Sequence, residues 1–300
     1  FVNQLRFKDT LHSTSMVRDF VDNCKVGKVD SGKGIVFTFK KALQPVNNLS
    51  TTSSVLTITP PSTAQEIIEI DSYKVIPLSV SRELMYDAVP SGNLVDTFLN
   101  YLYSLMEDTK DFYEFDVLIA RLFAWTPVQA TQTITINQYD LTNLSGADLR
   151  AAQEWNAAEI AKTIRKTINN LAYKSTKYTD VATTMTALNK DQLRLIMNDT
   201  YETNFLADAM ASLYHNDKVG AMLDGFKKDV LAEDIFTANS QGTTIGFLFD
   251  EDKLAMADYY KLQMSFTDAS TLFTNSFLHF AYGEGIFENA VGIKFVANLI

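Results

Sequence analysis

Three histidines, one cysteine, a Gly-Lys-Gly triplet and two acidic clusters are the residues of this chain whose types could carry chemistry. His12, His215 and His279 lie far apart, and neither the His-x3-His spacing of a metal site nor a His-Glu pair occurs. Each reads as a structural or surface residue. Cys24 stands between Asn23 and Lys25. A neighbouring ammonium lowers a thiol pKa, but a cysteine nucleophile also needs a paired histidine, which is missing here. Gly32-Lys33-Gly34 lacks the four-residue spacer and the Lys-Ser/Thr ending of a phosphate loop, and a strand pattern follows it, so a turn is expected. No Gly-x-Ser-x-Gly elbow is present. Asp250-Glu251-Asp252 lacks the spacing and central Gly of a calcium loop and reads as a solvated acidic turn. Glu107, Asp108, Asp111, Glu114 and Asp116 make an acidic helix face that Lys110 offsets only in part. The expectation is a solvated face, the remainder meeting a basic patch on another subunit. No catalytic, cofactor or metal site is expected.

The elements that would position these residues are mixed. Residues 1–33 carry Phe7, Leu11, Met16, Val17, Phe20 and Val21 at loosely helical spacing and read as a terminal arm with a short helix. Gly34 to Phe39 alternates as a strand. Lys40 to Thr63 is rich in Pro, Asn, Ser and Thr, with little to bury. Loops beyond about 12–15 residues are usually functional or disordered. From Ile67 to Ser81 the strand pattern returns, and the two runs are expected to pair as legs of an extended hairpin. After Pro90 and Gly92 a helix over about 94–123 is expected, with Val95, Phe98, Leu102, Leu105, Met106, Val117 and Ala120 on one stripe, lying across a sheet. Thr131 to Ile136 alternates, residues 137–150 read as a polar connection, and Ala157 to Leu171 marks a second helix. Ser175 to Thr186 is a Thr-rich loop, Leu193 to Met197 a short buried strand, and Asp199 or Thr200 caps a third helix. A strand near Ile245 to Phe249, a helix from Asp252 to Lys261 and a final hairpin of long strands complete the pattern. Without a βαβ rhythm, the fold class is α+β.

The composition sets outer bounds. The apolar fraction is 46% and the aromatic fraction 12%, ample for a core. The 26 basic and 36 acidic residues leave a formal charge of −10. Such a surface repels phosphate, which argues against nonspecific nucleic-acid binding and anionic lipid. A single cysteine permits no intramolecular disulfide, and no apolar run approaches the length of a membrane span. The start shows neither an initial Met nor a signal-peptide core, so the expectation is a chain trimmed or begun downstream and made in a reducing cytoplasm.

The order of parts — arm, long hairpin loop, Val-Ser-Arg-Glu-Leu at 80–84, long helix, central α/β region, terminal long strands — resembles the major capsid proteins of tailed bacteriophages. These have the Hong Kong 97-type fold, which encapsulin shells share, and the likeness is greatest to compact subunits of small short-tailed phages. Three local matches carry it: Ile76 to Ala88 with the helix that follows, Leu193 to Asn198 with the next helix, and His279 to Asn298 as closing strands. The resemblance implies a division into an N-terminal arm at 1–33 and an extended hairpin at 34–80. It further implies a peripheral domain with a spine helix at 81–150 and 279–300, and an axial domain at 151–278. It implies many copies of the chain, in pentamers and hexamers, forming an icosahedral or prolate shell around double-stranded DNA. A portal, and scaffolding or cement proteins, would be further partners, with assembly in the host cytoplasm and the virion as destination. Contacts between subunits are expected at Lys40, Lys41, Pro45, Asn47, Asn48, Pro60 and Pro61. Lysine–asparagine cross-linking, known in some members, is not carried over. The alternatives are an encapsulin-type nanocompartment and, from another class, a soluble enzyme using scattered carboxylates.

Overall fold

The computed structural model describes residues 14–28, 35–40, 63–81, 92–201, 227–239, 241–268 and 270–300. By internal contacts the chain forms two compact units: Phe1–Val36, Ile67–Leu122 and Leu254–Gly285 make one; Phe37–Glu66, Phe123–Lys253 and Ile286–Ile300 make the other.

The first unit is a four-stranded sheet with two helices. Helix α1 (Ser15–Cys24) starts at Thr14, whose hydroxyl accepts the Val17 N–H at 3.4 Å. Val17, Phe20, Val21 and Cys24 form its buried face, the three- and four-residue spacing of an amphipathic helix. The sheet runs β1 (Lys25–Lys28), β9 (Leu254–Thr267), β10 (Phe273–Ile286), β4 (Ser72–Ser81). Pro77 is tolerated in β4 because β4 is an edge strand, where a missing N–H need break no ladder bond. Helix α2 (Gly92–Ala124) has 33 residues and is therefore about 50 Å long. Tyr113 sets its ring edge-on to Phe280 and Tyr282 of β10, with centroids 5.9 and 6.2 Å away. Phe115 does the same to Phe20 of α1 at 5.2 Å. The helix thus lies across a sheet, as its stripe requires. Gly283 admits the backbone of Glu69: a Cβ there would stand 2.2 Å from the Glu69 carbonyl oxygen.

The second unit is built on a five-stranded sheet in the order β5 (Thr133–Gln138), β11 (Gly292–Leu299), β8 (Thr244–Asp250), β6 (Leu193–Asn198), β7 (Lys227–Leu231). Strand β6 is buried at every position and β8 at all but its last, so both faces are covered. On one face helix α3 (Gly146–Leu171) brings Ile160, Ile164 and Leu171 against Leu193, Leu195, Met197, Ile245 and Phe295. On another, Phe236 of helix α4 (Glu233–Ala238) packs with Phe123 and Phe247 at centroid distances of 5.0 and 6.4 Å. Strands β2 (Ile35–Lys40) and β3 (Thr63–Ile68) form a separate two-stranded ribbon.

Several sequence expectations hold at the level of elements, and four need correction. The long helix, the buried strand at 193 and the strand at 245 are present. The residues from Asp252 to Lys261 do not form a helix: the chain from Leu254 onward is strand β9, held by β1 on one side and β10 on the other. Four consecutive buried residues, Leu254 to Ala257, fit either period, and non-local pairing decides between them. The two closing strands are not a hairpin. Strand β11 has both of its edges taken, parallel by β5 and antiparallel by β8, while β10 pairs with β4 and β9. The returning leg is split as well: β3 pairs with β2, and β4 pairs with β10 along its whole length. Finally, the expected connection at 137–150 already contains the first turn of α3. The expected third helix falls mostly outside the described residues, beyond a helical turn at 199–201.

Candidate functional site

Among the described residues, those singled out for chemistry lie on separate elements. Cys24 is buried at the end of α1. His279 sits half-buried in β10, its ring 6.3 Å from Phe277. His12, His215 and Gly32-Lys33-Gly34 lie outside the described residues. Asp250, Glu251 and Asp252 form the turn after β8. Burial pushes the Asp250 carboxyl up to about 6; the Asp252 N–H opposes this, and the charges of Asp252 and Glu251 add to it. No cluster of three metal-ligating side chains occurs among the described residues. Nor, among them, is any helix long and apolar enough to cross a membrane.

Lys253, next to that turn, is the most enzyme-like group among the described residues. It is 2% exposed, and burial lowers its pKa against the opposing pull of Asp180. Its surroundings are those of a structural ion. Its Nζ donates to Asp180 Oδ2 at 2.7 Å and to the Ala290 carbonyl at 3.1 Å, and lies 5.0 Å above the Trp125 ring. Trp125 Nε1 and Gln132 Nε2 donate to the same Asp180 carboxylate at 3.1 and 2.6 Å. Both charges are therefore spoken for. An open pocket of about 370 Å³ is lined by Lys174, Ser175, Thr176, Lys177 and Met185, with no carboxylate, imidazole or thiol.

The built feature is the root of the β2–β3 ribbon. Glu66 of β3 accepts the backbone N–H groups of Glu288 and Asn289 at 2.7 and 2.8 Å, and the Asn289 side-chain amide at 2.5 Å. Thr184 donates in turn to Asn289 Oδ1. Phe37 and Phe39 of β2 place their rings 4.2 and 6.0 Å from Phe287. A carboxylate bound to successive backbone amides and an aromatic triplet thus hold both legs of the ribbon at their base. Of the residues expected to contact a neighbour, Lys40 closes β2, while Lys41, Pro45, Asn47, Asn48, Pro60 and Pro61 lie outside the described residues.

The acidic face of α2 is largely paired within its own chain, which corrects the expectation of a solvated face with a remainder for another subunit. Arg18 of α1 reaches Asp108 at 3.0 Å and Asp111 at 3.4 Å. Lys25 of β1 lies 3.2 Å from both Glu114 and Asp258. Lys110 also contacts Glu114, and Lys261 contacts Glu107. Asp116 is exposed. Burial depresses the Lys25 ammonium, but the charges and hydrogen bonds of Glu114 and Asp258 raise its pKa above the ordinary lysine value. Sequence reasoning missed Arg18, Lys25, Glu66 and Asn289, because their partners are remote in the chain.

Comparison with known proteins bears on this arrangement. A family model described as Phi29-like phage major capsid protein matches residues 36–293. No curated protein matches the sequence. Solved structures are similar across nearly the whole chain. The capsid of Staphylococcus phage Andhra gives a TM-score of 0.72 at 11% identity, covering 99% of this chain and 88% of that one. The mature capsid of bacteriophage PhiM1 gives 0.59 at 10% identity, covering 99% and 91%. The capsid of cyanophage P-SCSP1u gives 0.58 at 13% identity, covering 100% and 92%. At such identities these structures speak for the fold, which is of the Hong Kong 97 type.

Proposed function

The chain belongs to the Phi29-like phage major capsid protein family, and from that premise we propose how its parts build a shell. It is a structural major capsid protein of the virion that assembles with copies of itself; an encapsulin role is not favoured. The observation that carries this is the family match across 36–293, joined to a capsid fold over the full chain.

The finer reading is ours. The shell is icosahedral or prolate, made of pentamers and hexamers, and encloses double-stranded DNA. The net charge of −10 on each chain disfavours a tight grip on phosphate, so that the genome can be loaded and released. A portal, and scaffolding or cement proteins, are further partners, and assembly takes place in the host cytoplasm. The chain carries no catalytic activity; Lys253, the most enzyme-like group among its described residues, is absorbed by Asp180 and Trp125.

The loop at 40–67 lies over a neighbouring copy, as does the arm at 1–33 apart from α1 and β1, which pack within their own subunit. With the boundaries drawn by internal contacts, the unit at 67–122 with 254–285 is peripheral, and the unit at 123–253 with 286–300 packs around the local symmetry axis. Lys40, Lys41, Pro45, Asn47, Asn48, Pro60 and Pro61 meet the neighbour. The support is physical: a Pro/Ser/Thr-rich segment has little to bury in its own chain, yet Glu66 and Phe287 fix its root. Assemblies of this kind bury on the order of 2,000–5,000 Å² per interface, enough to offset ordering such a segment. Deletion of residues 45–63 tests the reading. A folded subunit that no longer forms shells is expected, and normal particles from the deletion would refute it.

A further inference from the structure

We propose that the outer half of β9, together with the turn into β10, is a docking surface for a second copy of this chain. The second copy adds backbone hydrogen bonds along residues 261–267 and covers Leu262, Met264, Phe266, Leu272 and Phe273. The proposal rests on the shell reading above and adds to it a surface other than the 40–67 loop.

The first observation is an open edge. Strand β1 meets β9 only from Met256 to Asp258. Beyond that point, among the described residues, no strand pairs with the outer edge of β9, and residues 261–267 are all exposed. A long unpaired edge is a template for another strand.

The second observation is what that edge lacks. Free-standing edges are blunted by charge, by Pro or by bulges. From Leu262 to Thr267 there is no charged residue and no Pro, although the chain carries 62 charged side chains among its 26 basic and 36 acidic residues. Instead Leu262, Met264 and Phe266 alternate on one face, 51%, 56% and 56% exposed, with Leu272 and Phe273 at 45% and 40% beside them. Together these five expose on the order of 400–500 Å² of apolar surface, the size of the largest and often functional patch on a monomer. That is about half of what one partner contributes to a standard interface, which suits one contact of several in a shell better than an isolated dimer.

The third observation is a turn held ready. Asp268 accepts from the Ser270 N–H and hydroxyl at 2.9 and 2.7 Å and from the Thr271 hydroxyl at 3.0 Å. The Leu272 N–H donates to the Asp268 carbonyl at 2.9 Å. Leu272 has φ 55°, a left-handed conformation that Gly or Asn adopts at lower cost. Leu272 leaves 45% of its surface exposed, so packing inside its own subunit offsets that strain only in part. Its apolar contact is supplied from outside, and the family's self-assembly makes the supplier another copy.

Hydrogen exchange read by mass spectrometry on the full chain, before and after assembly, tests this. Those amides of 261–267 that point away from β10 should exchange fast in the unassembled subunit and at least about tenfold slower in particles, as new hydrogen bonds require. Unchanged exchange of these outward amides on assembly would overturn the proposal, as would their protection in the free subunit, which would mean that another part of the same chain covers the edge. Two variants read the same surface. Met264→Asp and Leu272→Gly should keep the unfolding midpoint of the unaltered chain, Leu272→Gly because it relieves the positive φ. Both should lower particle yield by at least about tenfold, a loss of about 1.4 kcal/mol of assembly free energy. Normal yield from both would overturn the proposal. Particles with an unprotected edge sink this inference alone; no particles from the unaltered chain sink the shell reading with it.

Discussion

Removing the carboxylate of Glu114 should be among the most damaging single changes in the first unit. Glu114 is 0% exposed, and the Lys110 side chain beside it is 8% exposed. Neither Glu114 oxygen has a hydrogen bond of proper geometry, so the charges of Lys110 and Lys25 are its compensation. Glu114→Ala leaves the Lys110 ammonium buried without its partner. Lys25, 24% exposed and still 3.2 Å from Asp258, suffers less. Breaking a buried pair from one side costs about 3–5 kcal/mol. At roughly 2–4 °C per kcal/mol this is a drop in Tm of about 6–20 °C. Urea unfolding followed by circular dichroism should show a lower midpoint with the slope unchanged. The double change Glu114→Leu with Lys110→Met removes both charges and should recover most of the loss, because two apolar side chains of similar volume need no desolvation penalty repaid. A loss below about 1 kcal/mol for Glu114→Ala, the range of exposed pairs, would refute the reasoning. So would a double variant as weak as the single one.

Two further outcomes follow from the second unit. Asp250 has its pKa raised to about 6 from 3.8 by burial. A raised folded pKa gives a contribution that is fully present below 3.8 and lost as pH rises through about 6. Asp250→Asn should therefore raise stability at pH 7 by about 1–3 kcal/mol and change little at pH 3.5, read from urea midpoints at the two values. Glu66→Ala removes three hydrogen bonds at the ribbon root; half-exposed as they are, the expected cost is about 2–3 kcal/mol. Hydrogen exchange should rise at 63–68 and 287–289 while the β6–β8 core stays protected, and unchanged exchange at the root would count against its role.

Much of this fold was legible because its strongest signals are local. A run without Gly or Pro from Val95 to Ala124 can only be a long helix, and Leu193 to Asn198 is buried along its whole length. What was not legible depends on pairing across the chain. The buried run from Leu254 fits either period; its conformation comes from pairing with β1, far off in the sequence, and with β10. The acidic face of α2 looked solvated because Arg18 is 90 residues from Asp108. The ribbon root was invisible for the same reason: Glu66 binds an amide 223 residues away.

Electron microscopy of the purified full chain, with sedimentation on the same sample, tests the central claim most directly. The account predicts closed shells of uniform size sedimenting as megadalton particles. A monomer or small oligomer under every assembly condition, with or without scaffolding partners, would contradict it.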